Sequence, residues 1–200
     1  MRASATAAGL VLATVAVILM VGCPARPPSA ETPPASEDEF APATPDDPDA
    51  EEPKIEPLAV AGALEGEGLR VVAKTGGDTL AADMADWEGA WSRDQQLWWF
   101  DAEAGDTLTL SFDVPSGGRY EVVAKLSEAP DYGRFTLAID DREPSEAVDL
   151  HAETVQLAED VPLGRMWLEP GEHRLLIAAI GPHEGGPTPF GLGLDYVLLR

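Results

Sequence analysis

Three of the chain's five tryptophans lie within nine positions, in the stretch WSRDQQLWWF at residues 91–100. An indole ring has a large apolar face, so it either fills a protein core or stacks on the apolar face of a ligand such as a sugar ring. Alternation along QLWWF puts Leu97 and Trp99 on one face of a strand and Trp98 on the other. The pattern predicts that Trp99 faces the core and that Trp98 faces outward or lies under a covering loop.

Trp91 lies in a different setting, the segment AADMADWEGAWSRD at residues 81–94, which fits no strand pattern and is predicted to be a long loop. Loops on a rigid scaffold often carry binding residues. Trp87 would share a face with Trp91 if the loop made a helical turn, and we interpret Trp87 as a packing residue. Trp91 is therefore predicted to stack on a ligand; the alternative is a loop anchor folded over a sheet.

A second aromatic and several polar side chains complete this predicted binding site. Tyr132 would supply the second ring, while Gln96, Asp131 and His151 would bind hydroxyl groups. These positions are chosen by their place in predicted loops, since no motif fixes them. The alternative for Tyr132 is a buried corner residue whose hydroxyl bonds to the backbone. His183, in a Gly/Pro-rich loop, would line the same end of the domain.

The elements that must position these residues are strands, because period-two alternation dominates from residue 58 onward. The clearest strand has Leu108, Leu110, Phe112 and Val114 on one face. Similar patterns occupy residues 119–126, 133–140, 173–180 and 191–199, the last with Leu192, Leu194, Tyr196 and Leu198 in phase. Short strands separated by Gly, Pro, Asp and Ser turns predict an all-β fold, an antiparallel β-sandwich of about eight or nine strands with the size of a jelly roll, over residues 58–200.

The N-terminal quarter has a different organisation. Residues 1–23 combine Arg2 with a short apolar run that ends in MVGC, and they resemble a bacterial lipoprotein signal peptide in which Cys23 is lipidated, although Met20 stands where Leu is usual. Ordinary secretion with a chance cysteine, or an uncleaved anchor, are the alternatives. Residues 24–57 hold 10 of the 18 prolines and are predicted to be a disordered acidic tether.

Charge and motifs exclude several functions. A net charge of −23 argues against nucleic acid as a partner, because both would carry the same sign. The sequence contains no nucleophile elbow, zinc-protease motif, phosphate-binding loop or dinucleotide fingerprint. The three histidines lack metal-ligand spacing along the chain. We therefore expect a protein that is not an enzyme.

Three stretches of the domain carry a family resemblance. LEGEGL (64–69) and GLGLDYVLL (191–199) resemble the opening and closing strands of calcium-containing jelly-roll carbohydrate-binding modules of the family-six and family-thirty-five type, and W-S-x-x-x-Q-L-W-W is similar to galactose-binding-like domains. The resemblance implies that the first and last strands are neighbours and that Glu65, Glu67 and Asp195 bind a structural Ca²⁺. The alternative is that both glutamates face solvent on an edge strand.

Together these features predict a non-catalytic carbohydrate-binding module, anchored by lipid to a membrane of the cell envelope, on its periplasmic or extracellular side. The alternative from another class is an envelope scaffold or protein-interaction domain that binds another envelope protein and no sugar. A hydrolase with a dispersed site is the third hypothesis.

Overall fold

The computed structural model describes residues 58–200. The predicted signal peptide (1–23) with Cys23 and the predicted tether (24–57) lie outside the described residues. Within residues 58–200 no helix is long and apolar enough to cross a membrane.

Twelve strands make up the described part of the chain. In chain order they are β1 (Ala63–Glu65), β2 (Arg70–Lys74), β3 (Asp78–Asp83), β4 (Gln95–Ala102), β5 (Thr107–Val114), β6 (Gly118–Glu128), β7 (Gly133–Ile139), β8 (Val148–Asp149), β9 (Gln156–Leu157), β10 (Val161–Leu168), β11 (Gly171–Pro182) and β12 (Phe190–Leu199). Two short 3-10 helices, Gly66–Gly68 and Ser92–Asp94, are the other regular elements there.

The strands form two antiparallel sheets. The seven-stranded sheet has the order β10-β6-β12-β4-β3, with β1 pairing with β12 and β9 with β6; the five-stranded sheet has the order β2-β5-β11-β7-β8. This is the predicted all-β sandwich. The count exceeds the prediction because β1, β8 and β9 have three residues or fewer and carry too little pattern to be found in the sequence.

The core lies between the sheets, where the alternating apolar faces meet. In β5 the predicted Leu108, Leu110, Phe112 and Val114 are all buried, and in β4 Trp99 is completely buried, as predicted. At about 25 cal/mol per Å² of apolar surface, large side chains such as these supply most of the stabilisation of a domain without disulfides.

The alternation in β12 changes phase at Asp195. Its register against β6 shifts between Leu194 and Tyr196, which is a β-bulge. The core therefore takes Leu192 and Leu194 and then Val197. The prediction that Tyr196 and Leu198 are in phase with Leu192 and Leu194 was wrong, because a bulge adds one residue to the strand and resets its period. Leu198 is still buried, but it lies outside the core cluster between the sheets.

The predicted loop at 81–94 is shorter than expected. Residues 81–83 belong to β3, whose backbone pairs with β4 from Asp78↔Phe100 to Asp83↔Gln95. Pairing along an edge strand does not require apolar alternation, so the sequence pattern missed it. The loop that remains, residues 84–94, lies next to the outer face of the seven-stranded sheet, where Gln96, Trp98, Ser127, Gly191 and Gly193 alternate with core residues.

Candidate functional site

Two adjoining cavities form a groove on the outer face of the seven-stranded sheet. One has a volume of about 360 Å³ and the other about 750 Å³, and they share Trp87, Asp131 and Val155 in their walls. Gln96, Trp98 and Tyr132 line the smaller cavity. We call the pair the Trp87 groove, because Trp87 is half exposed and lies where the two cavities meet.

Local backbone bonds hold Trp87 in this position. The Trp87 N–H donates to the Met84 carbonyl over 3.0 Å, and Asp83 Oδ1 accepts from the Ala85 N–H over 3.0 Å. Met84 is buried and its N–H donates to the Asp94 carbonyl over 2.8 Å, which ties both ends of the loop together. A closed turn anchored by a buried methionine therefore presents the Trp87 ring to solvent. Our interpretation of Trp87 as a packing residue was wrong.

Trp91 is buried, with 1% of its surface exposed, so the prediction that it is an exposed stacking residue was wrong. Its indole N–H donates to Ser127 Oγ over 2.8 Å, and the backbone of Gly89 lies so close that a Cβ there would come within 2.1 Å of the ring. The alternative, a loop anchor folded over the sheet, describes what is found. Its ring faces are covered by protein and present no surface to a ligand.

Three of the other predicted binding residues meet in the Trp87 groove. Gln96, Asp131 and Tyr132 line the same cavity. Asp131 is exposed, whereas Tyr132 is buried and its hydroxyl accepts a long hydrogen bond of 3.4 Å from Gln96 Nε2. The alternative for Tyr132 was a buried residue whose hydroxyl bonds to the backbone. Tyr132 is buried as in that alternative, but its hydroxyl bonds to a side chain.

His151 is not in the lining of either cavity. Its ring stacks on His183, with centroids 4.1 Å apart and planes 13° from parallel. His151 Nδ1 lies 3.1 Å from the Pro130 carbonyl, and His183 Nδ1 lies 2.8 Å from Asp149 Oδ2. The hydrogen bond from His183 keeps the pKa of Asp149 below its usual value, although burial opposes this. The pair therefore lies next to the groove, because His151 contacts Pro130, which lines the larger cavity.

A chain of hydrogen bonds between buried side chains runs beneath the groove. It passes from Trp91 to Ser127 Oγ, from Ser127 Oγ to Gln96 Oε1, and from Gln96 Nε2 to the Tyr132 hydroxyl. We call this the Trp91–Tyr132 chain. All four members are at least 95% buried, and polar groups so buried need partners because each unmet bond costs about 1–3 kcal/mol.

Two glycines of β12 make room for this layer. A Cβ on Gly193 would lie 2.2 Å from Gln96 Oε1 and 2.9 Å from the Tyr132 hydroxyl oxygen. A Cβ on Gly191 would lie 3.1 Å from Trp98 Nε1 and 3.2 Å from Tyr132 Cδ1. Glycines at alternate positions therefore leave a shallow trough on the outer face, and the groove-lining side chains lie in it.

Trp98 lies between the core and solvent, as predicted. Its ring packs on Phe100 with centroids 4.7 Å apart and contributes to the smaller cavity of the groove. Its Nε1 atom is buried and has no hydrogen-bond partner among residues 58–200. A donor of this kind is ready to bind an acceptor.

An acidic cluster lies at the junction of the first and last strands. β1 pairs with β12, with Glu65 opposite Tyr196, so these strands are neighbours, as the family resemblance implied. The resemblance implied that LEGEGL, with both glutamates, is the opening strand, but β1 ends at Glu65 and Glu67 lies in the 3-10 helix Gly66–Gly68. The turn fits there because Gly66 packs against the Leu194 carbonyl, where a Cβ would be only 2.1 Å away.

Ser92 ties the acidic cluster together. Its backbone N–H donates to Asp195 Oδ1 over 3.0 Å and its hydroxyl to Glu65 Oε1 over 2.9 Å. Arg93 Nε lies 3.2 Å from the same Glu65 oxygen. One oxygen of each acid, namely Glu65 Oε2, Glu67 Oε2 and Asp195 Oδ2, is buried without a partner in the described chain.

The electrostatics of the cluster favour a positive charge. Burial, together with the nearby charges of Glu65 and Glu67, raises the pKa of Asp195 to about 7, against the lowering effect of the Ser92 N–H. Burial and Glu65 also raise the pKa of Glu67. Carboxylates that share a buried site raise one another's pKa, and a cation bound between them would lower it.

The acidic cluster has the donor atoms that a calcium ion needs, but they are not arranged around one point. Three unpartnered carboxylate oxygens are the hard donors that Ca²⁺ prefers. Within residues 58–200, however, no three His, Cys, Asp or Glu side chains are grouped closely enough to hold a metal ion as they stand. Glu65, Glu67 and Asp195 would hold the ion, and their side chains would have to turn toward a common point.

Two functional features escaped the sequence reasoning. The first is the exposed position of Trp87, which does not share a helical face with Trp91. The sequence signal for the turn that exposes Trp87 was Asp83, whose carboxylate accepts from the N–H of Ala85. The Gly191–Gly193 alternation was visible, since glycines on one face of a central strand indicate a close approach by other atoms. The partners that approach them come from distant positions and could not be identified.

Comparison with solved structures gives the fold. The chain matches a Paenibacillus xanthan lyase with a TM-score of 0.59 and 22% identity, over 72% of this chain and 13% of the lyase. A family 6 carbohydrate-binding module matches with a TM-score of 0.43 and 10% identity, over 69% of this chain and 92% of that one. A Podospora anserina GH26-CBM35 β-(1,4)-mannanase matches with a TM-score of 0.42 and 17% identity, over 69% of this chain and 27% of the mannanase.

No family model and no curated protein matches the sequence. The chain spans 13% of the xanthan lyase, and that match carries the sandwich fold alone.

Proposed function

We propose that this domain binds carbohydrate, without catalysing a reaction, in the Trp87 groove. The observation that carries the proposal is the half-exposed Trp87 ring in a groove whose other walls combine apolar side chains with carboxylate, amide and hydroxyl groups. An aromatic face covers the apolar C–H patch of a pyranose, while polar groups around it bind the hydroxyls.

The polar groups of the groove complement the hydroxyls of a sugar. Acceptors come from the carboxylates of Asp83 and Asp131 in the smaller cavity. Donors come from its floor, where Gln96 and Tyr132 lie. A sugar hydroxyl both donates and accepts, so it can use both kinds of group. Shallow sites of this kind bind with about −4 kcal/mol, which corresponds to a millimolar dissociation constant.

We also propose that Ca²⁺ binds the acidic cluster as a structural ion. Binding would ionise Asp195 fully and satisfy the three buried oxygens of Glu65, Glu67 and Asp195. Because Ser92 bonds to two of these acids, the ion would stiffen the start of β4 and the end of the loop that presents Trp87. Its role would be to hold the groove in shape.

The proposal places the domain at the cell envelope, on a lipid anchor at Cys23 with residues 24–57 as its tether. Both segments lie outside the described residues, so this part depends on the sequence alone. Metabolic labelling with a radioactive fatty acid tests it: wild type is expected to take up label, and Cys23→Ala is expected to take up none. Label retained in Cys23→Ala would contradict lipidation at this residue.

A glycan panel tests the binding proposal directly. Neutral polysaccharides, namely galactomannan, arabinogalactan, xylan and β-glucan, are titrated into the protein while tryptophan emission is followed. We expect a saturable change with one class, lost in Trp87→Ala. Trp167→Ala is the matched control, because Trp167 is similarly exposed at 56% but lies on β10 outside the groove.

Three outcomes would contradict carbohydrate binding in the groove. These are no response to any glycan from folded protein, a response that survives in Trp87→Ala, or a loss that is equal in Trp167→Ala. The first of these, together with a defined protein that co-purifies through the same residues, would favour the protein-interaction hypothesis instead.

A further inference from the structure

The Trp91–Tyr132 chain has a fixed direction. An indole N–H can only donate, so Ser127 Oγ accepts from Trp91. The single Ser127 hydroxyl proton needs an acceptor of its own, and it is donated to Gln96 Oε1. That bond turns the amide so that Gln96 Nε2 faces Tyr132 and donates to its hydroxyl oxygen over 3.4 Å. Every proton in the chain therefore points from Trp91 toward the groove.

The chain ends on a proton that has no acceptor. Among residues 58–200 the Tyr132 hydroxyl makes no hydrogen bond other than the one it receives from Gln96. Tyr132 is 4% exposed and lies in the lining of the smaller cavity. Burial, and the negative charge of Asp131, raise the pKa of its phenol, so this proton is not given up to solvent. The natural acceptor is an oxygen atom that enters the groove.

Burying the polar side chains of the Trp91–Tyr132 chain costs desolvation free energy, which indicates that the chain has a function beyond packing. Four polar side chains are buried on the outer face of a sheet, and Gly193 leaves the space that Gln96 and the Tyr132 hydroxyl fill. Apolar residues at 96 and 127 would cover the same surface without hydrogen bonds to satisfy. The polar chain supplies one thing that such a layer would lack, a hydroxyl donor held in place at the floor of the groove.

We infer that Trp91 and Ser127, which lie behind the groove, are positioning residues that set its hydrogen-bond polarity, so that Tyr132 donates to an acceptor oxygen of an uncharged saccharide. This inference rests on the proposed function. Trp91 is the one donor to Ser127 Oγ among residues 58–200. Without the indole N–H, that oxygen is left without a donor, and the Gln96 amide can supply one by turning its Nε2 toward Ser127. Gln96 then turns its carbonyl toward Tyr132 and takes the hydroxyl proton. The groove loses the Tyr132 donor, although no lining residue has changed and Trp98 Nε1 is still free to donate.

A double-mutant cycle on glycan affinity tests the inference. Trp91→Phe keeps an aromatic ring in the buried position but removes the N–H, and Tyr132→Phe removes the terminal hydroxyl. With the neutral polysaccharide that binds best to the wild type, we expect each single variant to bind about tenfold more weakly, the size of one net hydrogen bond. The double variant is expected to bind no more weakly than Tyr132→Phe alone, because Trp91 acts through that hydroxyl.

Several results separate the inference from the proposed function. Losses that multiply in the double variant, or a Trp91→Phe protein that binds like the wild type, would overturn the inference while carbohydrate binding stands. A wild type that binds no polysaccharide would overturn the proposed function, and the inference with it. If Trp91→Phe does not fold, as judged by its melting transition, Ser127→Ala takes its place in the same cycle with the same expectations.

Discussion

Ser92 and Asp195 are joined by a hydrogen bond of 3.0 Å, from the backbone N–H of one to the carboxylate of the other, across 103 positions of the chain. The preceding residue, Trp91, begins the polar chain beneath the groove. Two consecutive residues therefore connect the acidic cluster to the floor of the candidate binding site. We therefore expect that protonation of the acidic cluster, or metal binding to it, changes ligand affinity in the groove through Trp91 and Ser92.

The first prediction concerns calcium. Adding Ca²⁺ should raise the melting temperature, a chelator should lower it, and glycan affinity should follow the same order, because the ion would satisfy three buried carboxylate oxygens. Asp195→Ala should remove the difference between the two conditions. Mg²⁺, which requires a smaller octahedral site and gives up water reluctantly, is the matched control and should do little. A melting temperature that changes with neither Ca²⁺ nor chelator would exclude a calcium site in the acidic cluster.

The second prediction concerns pH. Asp195 has a folded pKa of about 7, far above the 3.8 of the unfolded chain. Between these values the folded state binds more protons than the unfolded state, so metal-free protein should lose stability as pH rises from about 4 to about 7. In Asp195→Asn this loss should shrink, and Ca²⁺ should stabilise wild type more at pH 8 than at pH 5. Chemical denaturation in the presence of chelator, from about pH 4 to about pH 7, measures the free energy of unfolding. If this free energy falls with pH as steeply in Asp195→Asn as in the wild type, Asp195 is not its cause.

A third prediction concerns His173, which bonds Asp140 Oδ2 through Nδ1 and the Glu169 carbonyl through Nε2, each over 2.8 Å. Both partners are acceptors, so both bonds require the protonated ring. Burial opposes protonation, but these bonds outweigh it and raise the pKa of His173 above 6.5. Its stabilisation is fully present below the unfolded pKa and is lost as pH rises through the folded pKa.

Asp140→Asn should therefore cost stability at pH 6 and much less at pH 9. His173→Gln removes the ring that makes both bonds and is the cross-check: it should show the same pH dependence as Asp140→Asn. Equal destabilisation by Asp140→Asn at both pH values would contradict this account. The pH ranges of His173 and Asp195 meet near neutral pH, so the two effects are separated by the variants, each of which changes one of the two groups.

The fourth prediction is steric. Gly193→Ala should destabilise the domain by about 1–3 kcal/mol, the usual cost of overpacking, because its Cβ would fall 2.2 Å from Gln96 Oε1. Glycan affinity should fall as well, since the same Cβ displaces the Tyr132 hydroxyl. Gly68→Ala is the control, because a Cβ there meets nothing closer than 3.9 Å. A Gly193→Ala protein that melts and binds like Gly68→Ala would show that the trough is not filled as described.

The fifth prediction is electrostatic. The groove is lined by Asp83, Asp86, Glu88, Asp131 and Glu153, and no Lys, Arg or His is among its lining residues. Acidic polysaccharides such as alginate should therefore bind more weakly than neutral ones at low salt, and the difference should narrow as salt screens the charges. Affinity electrophoresis at two salt concentrations measures this. Tighter binding of alginate than of any neutral polysaccharide would contradict the assignment of the groove.

The sandwich could be predicted because alternation is a local property. The burial of Trp99 and of the apolar residues from Leu108 to Val114 could be predicted from the alternation with their sequence neighbours. That the first and last strands are neighbours followed from the family resemblance. The acidic cluster was found in the same way, although the turn at Glu67 was not. Burial of a loop residue is not local. Trp91 is covered because Ser127, from β6, accepts its N–H, and nothing within the loop distinguishes it from Trp87.

The phase of β12 shows the same limit. Its bulge at Asp195 is set by pairing with β6 and cannot be seen in the alternation of Leu192, Leu194, Tyr196 and Leu198. His151 and His183 are 32 positions apart and meet only because two loops fold together. Contacts between such loops depend on the finished sandwich, so site residues chosen from predicted loops alone were partly misplaced.

The most direct test follows the five indole N–H signals of the ¹⁵N-labelled protein by NMR during titration with the best neutral glycan. Variants with single Trp→Phe changes assign the signals. The account predicts that Trp87 shifts most, that Trp98 also moves because it lines the groove, and that Trp167 stays still. Movement of Trp167 with Trp87 unchanged, or no movement of any indole at saturating glycan, would contradict a carbohydrate site in the Trp87 groove.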